Sequence, residues 1–204
     1  HEFDEIVLKL IVGYISQLED RCKLRTVHIV YDYDDYPELA EMENEMLMGC
    51  DSIEHIELVT DDSKAIGNVR QYLEKHGDQV KKMEIRFSDA FIRSAIEVAA
   101  EFSSYLKAGC RLIVNEVDLY PCDSTTLKQH LSILQNRTDL DCLVHISIYD
   151  EPDALPFDII KSIKWSGKWD YQKLAASKGI ERFEQYDCDE DLFVFLTNPN
   201  NLPK

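Results

Sequence analysis

One apolar pattern returns along this chain and limits what it can fold into. Three apolar residues spaced φxxφxφ are followed, three positions on, by a polar or small residue. The copies are Leu24, Val27, Ile29 with Asp32; Ile53, Ile56, Leu58 with Asp61; Val80, Met83, Ile85 with Ser88; Val114, Val117, Leu119 with Cys122; and Leu143, Ile146, Ile148 with Glu151. They start at 24, 53, 80, 114 and 143, so the period runs from 27 to 34 residues. A degenerate sixth copy begins at Ile180 with Phe183 and departs at Gln185. Repeats of this length mark arrays in which each unit buries its apolar face only against its neighbours.

The second half of each copy alternates apolar and polar residues, the signature of a short strand. Strands are expected near 26–31, 54–59, 82–87, 115–120 and 144–149. Between them lie amphipathic stripes at helical spacing, over Ser63 to His76, Asp89 to Lys107 and Ser124 to Gln135. Ser63, Asp89 and Ser124 are placed as N-caps, and Pro37 at a first helical position. Gly49, Gly77, Gly109 and Gly179 follow the stripes, where a left-handed residue commonly ends a helix.

Strand, turn, helix and glycine in this order predict an α/β fold with a parallel sheet. The expected form is a βα repeat solenoid, a horseshoe with its helices on one side. The alternative is a doubly wound sheet covered on both faces, whose strands are apolar throughout. Here Glu54, His55 and Glu57 interrupt the second strand, Lys81, Lys82 and Glu84 the third, and Asn115, Glu116 and Asp118 the fourth. One sheet face must therefore meet water, which favours the horseshoe.

These residues resemble the leucine-rich-repeat consensus LxxLxLxxN/C over about residues 24 to 151. The ninth position departs from it, with Asp32, Asp61, Ser88 and Glu151 in place of Asn and only Cys122 fitting. Long helices and uneven repeat lengths are similar to the diverged FTH-type repeats of F-box substrate receptors of ubiquitin ligases, although the chain holds no F-box motif. The resemblance implies a substrate-recognition module.

Composition excludes several functions. The formal net charge is −17, from 39 acidic and 22 basic residues. A phosphate backbone or an anionic membrane surface needs clustered Lys and Arg, so neither nucleic acid nor membrane is expected as a ligand. A protein with a basic surface is the natural complement. The six cysteines form no CxxC pair, and Cys22, Cys50, Cys110 and Cys142 open apolar runs. They read as buried reduced thiols of an intracellular protein. His1 to Phe3 reads as a tag and cloning scar, and the apolar start after it predicts a piece of a longer protein. The repeat domain is assigned to 4–154. Residues 155–204, with Trp165, Trp169 and Tyr171, are expected to cap it, and Leu192 to Thr197 to close the sheet edge.

Superposing the repeats lines up three rows on the wet face. The middle row reads His28, Glu57, Glu84, Asp118, Ser147; the row before it Thr26, His55, Lys82, Glu116, His145; the row after it Val30, Val59, Arg86, Tyr120, Tyr149. The candidate partner-binding residues are His55, Glu57, Lys82, Glu84, Arg86, Glu116, Asp118, Tyr120, His145 and Tyr149. Adjacent carboxylates beside tyrosine anchors suit a basic protein. Acids also gather after the strands, in Asp32-Tyr33-Asp34-Asp35, Asp61-Asp62, Asp89, Asp123 and Asp150-Glu151. Many of these have helix capping as a sufficient reason.

No cofactor, metal site or catalytic group is expected. The chemical alternative is a Mg²⁺-dependent phosphotransferase, because a strand followed by Asp32-x-Asp34 resembles the first motif of haloacid-dehalogenase-type enzymes. There the first Asp is the nucleophile and the second the acid/base. Tyr36 stands where that motif has Thr or Val.

Overall fold

The computed structural model describes residues 24–30, 37–60, 62–87, 94–119, 124–148, 158–165 and 182–185. The elements in chain order are β1 (Thr26–Ile29), α1 (Pro37–Met48), β2 (His55–Leu58), α2 (Ser63–His76), β3 (Lys82–Phe87), α3 (Ala95–Phe102), β4 (Arg111–Leu119), α4 (Ser124–Asn136), β5 (Asp141–Ile148), β6 (Ile160–Trp165) and β7 (Arg182–Gln185). The fold is α/β. The seven described strands form one sheet in chain order, and every neighbouring pair is parallel.

Period-two alternation is the reason the strands can bury one face. In β1 to β3 the residues Val27, Ile29, Ile56, Leu58, Met83, Ile85 and Phe87 are buried, while their neighbours are half-buried or exposed. Leu112 and Val114 continue this buried row in β4, and Val144 and Ile146 in β5. The helical stripes supply the other half of the core: Ile66, Val69 and Leu73 from α2, Ile96, Ala99 and Phe102 from α3, and Leu127, Leu131 and Leu134 from α4. Strand and helix side chains merge into one cluster, and each described helix packs on the next.

Several local expectations are corrected. The N-cap of α2 is Asp62, not Ser63; its carboxylate accepts the backbone N–H of Lys64 and of Ala65 at 2.8 and 2.9 Å. Ser94 caps α3 by accepting from the Ile96 and Glu97 amides, five residues after the expected cap Asp89, which lies outside the described residues. Pro37 does open α1. Among the described glycines only Gly109 is left-handed, at φ +84°, but α3 already ends at Phe102 with Ser103 as its C-cap, so Gly109 is not the C′ residue of that helix. Gly77 has φ −62°, and its reason is contact: a Cβ there would lie 2.4 Å from the Tyr105 carbonyl oxygen.

The segment read as a cap contributes β6, which pairs with β5, and the degenerate sixth copy is β7. Leu192 to Thr197 lies outside the described residues. Of the cysteines, Cys50, Cys110 and Cys142 are described; all three are buried, as expected. Burial pushes the Cys110 thiol up to about 11 and the Cys142 thiol to about 12.

Candidate partner-binding surface

The second face of the sheet is built from the polar positions of the same alternation. Its first three strands carry the residues expected there. His28, Glu57 and Glu84 are consecutive register partners, as are Thr26, His55 and Lys82. His55 and Arg86 are exposed; Glu57, Lys82 and Glu84 are half-buried.

Beyond β3 the expected rows are wrong. Glu84 pairs with Ile113 and then Leu143, not with Asp118 and Ser147. Lys82 pairs with Arg111 and then Asp141, not with Glu116 and His145. Arg86 is followed by Asn115 and His145, where Tyr120 and Tyr149 were expected. The backbone of Glu116 is in register with Phe87 and Ile146, two buried residues of the opposite row. Asp118 lies within the register irregularity of β4 between Glu116 and Leu119. Tyr120 and Tyr149 lie outside the described residues, as do Asp32 and Asp34.

The physical reason is that β4 and β5 begin earlier than expected, at Arg111 and Asp141. β5 carries one unbroken apolar alternation, from Cys142 to Ile148, and β4 two successive ones of opposite parity, Leu112 with Val114 and Val117 with Leu119. The φxxφxφ template fits the later one, while pairing with β3 uses the earlier one. In β4 the offset is from Val117 to Leu112, an odd number of residues, and an odd slip exchanges the two faces.

The face that results is electrically compensated. The Glu57 carboxylate lies 2.6 Å from His28 Nδ1 and 3.4 Å from Arg86. Glu84 lies 2.8 Å from Arg86 and 3.3 Å from Lys82, and accepts from Asn115 Nδ2 at 3.2 Å. Burial raises the Glu84 carboxyl, but the hydrogen bonds from Arg86 and Lys82 outweigh it and hold the group below its usual range. Arg111 faces Asp141 at 3.5 Å. Lys82, Arg86 and Arg111 thus balance Glu57, Glu84 and Asp141. Of the expected row of adjacent carboxylates, Glu57 and Glu84 do lie side by side, with Lys82 and Arg86 neutralising them.

At its centre Ile113 and Leu143 sit side by side, half-buried, where the alternation of β1 to β3 has charge. Ile113 was not among the expected site residues, because only the register of β4 on β3 turns it outward. The acids after the strands are represented by Asp62, which is occupied in capping. Among the described residues no group of three or more His, Cys, Asp or Glu could hold a metal ion, and no helix is long and apolar enough to cross a membrane.

Comparison of the chain with protein families, curated proteins and solved structures finds no match.

Proposed function

We propose that this chain is a protein-interaction module, an α/β repeat solenoid that recognises a partner protein on the open face of its parallel sheet. The observation that carries the reading is the wet face opposite the single core. Outward positions of five consecutive strands stay half-buried or exposed while the inward positions are buried. The sequence-order strands and the packing of each helix on the next are what a solenoid requires. A small apolar centre at Ile113 and Leu143, flanked by the ion pairs of Glu84 and of Arg111 with Asp141, has the anatomy of a protein interface. The −17 charge of the whole chain would steer a basic protein toward it, chiefly through the association rate. Recognition of a substrate for a ubiquitin ligase is the role in keeping with the repeat resemblance.

The test begins with affinity capture to identify the partner and then compares two variants. Ile113→Asp should weaken binding by about tenfold or more, as loss of a central contact does. Glu74→Lys, on an exposed helix position, should leave the dissociation rate unchanged. The opposite outcome, with Glu74→Lys abolishing binding and Ile113→Asp silent, would move the interface to the helices.

A further inference from the structure

A cavity of about 640 Å³ opens at the sheet edge where the chain enters β1 to β4. Successive repeats place their entry turns side by side there, roughly 4.8 Å apart per strand. Six charged side chains line it: Arg25, Asp51, Glu54, Asp78, Lys81 and Lys107. Val80 and Cys110, each 2% exposed, add an apolar base. The volume lies in the range of sites for small molecules and inserted side chains.

The pairing inside this cavity is uneven. Glu54 holds Lys81 at 2.8 Å and Arg25 at 3.7 Å. The Lys81 hydrogen bond is the main reason its carboxyl lies below the usual range. That triad is satisfied. Asp51, Asp78 and Lys107 have no ion-pair partner among the described residues. Gln79 is exposed at the same wall, and its amide can both donate and accept. A concave site that offers two unpaired carboxylates, one unpaired ammonium and an apolar base complements a ligand bearing both signs of charge on an apolar stem.

We propose that this cavity binds a dipolar ligand with a basic side chain, an arginine-bearing amino acid or peptide segment. Its guanidinium faces Asp51 and Asp78, and its carboxylate faces Lys107. The stem of the side chain covers Val80 and Cys110. Arginine fits better than lysine because its planar fork can engage two carboxylates at once. The net charge of the chain favours the cationic end, and Lys107 sets the polarity in which the ligand enters. None of the cavity's charged residues belongs to the outward sheet positions, so the two sites succeed or fail separately.

The test uses the protein as it stands, labelled with ¹⁵N. Amide shifts are followed during titration with L-arginine, with agmatine (arginine lacking its carboxylate), and with the blocked peptide acetyl-Gly-Arg-Glu-Gly-amide. Saturable shifts are expected at Asp51, Ser52, Asp78, Lys107 and Gly109, with agmatine binding about tenfold more weakly than arginine. Asp51→Asn with Asp78→Asn should weaken arginine about tenfold or more, and Lys107→Ala should remove the preference for arginine over agmatine. Each variant's own spectrum shows whether the fold is kept. Tighter binding of the free amino acid assigns the site to a small ligand, and tighter binding of the peptide to a polypeptide segment. Absence of cavity shifts with both, or arginine affinity unchanged in the doubly substituted variant, overturns the proposal.

Discussion

Three glycines separate three physical roles, and substituting each by Ala tests the structure directly. Gly67 lies within α2, and a Cβ there meets nothing within 4 Å. Ala should therefore stabilise the helix by its propensity advantage, roughly 0.8–1 kcal/mol. Gly109 also has open space, but its φ is +84°. A left-handed non-glycine residue costs about 1–2 kcal/mol. Ala also restricts the unfolded chain, which returns about 0.4–1 kcal/mol. The net expectation is a loss of about 1 kcal/mol.

Gly77 is the informative case. Its φ of −62° suits Ala, so backbone preference predicts no loss. The Cβ, however, would stand 2.4 Å from the Tyr105 carbonyl oxygen and 3.1 Å from its carbon. Both neighbours are backbone, so no side chain can rotate away. One turn must move by most of an ångström, and overpacking of that kind costs about 1–3 kcal/mol. Urea unfolding of all three variants gives the order: Gly67→Ala above the parent, Gly109→Ala below it, Gly77→Ala lowest. In thermal unfolding each kcal/mol corresponds to roughly 2–4 °C for a chain of this size. If Gly77→Ala equals or exceeds the parent, the close approach of the two turns is wrong, and with it the packing of α2 against the end of α3.

Arg137 donates to the carbonyls of Ser103 and Leu106 beyond α3 and pairs with Asp139 at 2.8 Å. Arg137→Ala should cost about 1–3 kcal/mol by stranding those carbonyls, while Asp139→Ala, which removes only an exposed partner, should cost clearly less; equal losses in urea unfolding would contradict this. Stability should also fall in alkali. Burial raises Cys110 from 9.0 to about 11, Cys142 from 9.0 to about 12 and Tyr72 from 10.0 to about 12. Groups raised in the folded state stabilise it below their unfolded values, and that contribution is lost as pH climbs from about 9 toward about 12. Urea midpoints measured across that window should drop, and Cys110→Ala should flatten the drop; a constant midpoint would show the thiols to be accessible.

The repeating unit and its count through β5 are legible in the amino-acid sequence alone. Periods of two and 3.6 are local properties, set by which residues a strand or a helix must turn inward. Val27, Ile56 and Met83, or Leu127, Leu131 and Leu134, therefore announce their faces without any neighbour. The sequence also places Glu57 beside Glu84, because the first three copies share one spacing from apolar triplet to strand. Register is another matter. A long alternating strand looks the same when shifted, and only the hydrogen bonds to β3 fix Leu112, not Val117, opposite Met83. Tertiary structure thus turned Ile113 outward and moved Asp118 from the row. It also bound Glu84 to Arg86 and Lys82, so that a row of acids in the sequence became a compensated surface in space. The cavity at Arg25, Asp51, Asp78 and Lys107 could be seen only there, because its walls come from four turns far apart in the chain, brought together by nothing but the pairing of the strands they introduce.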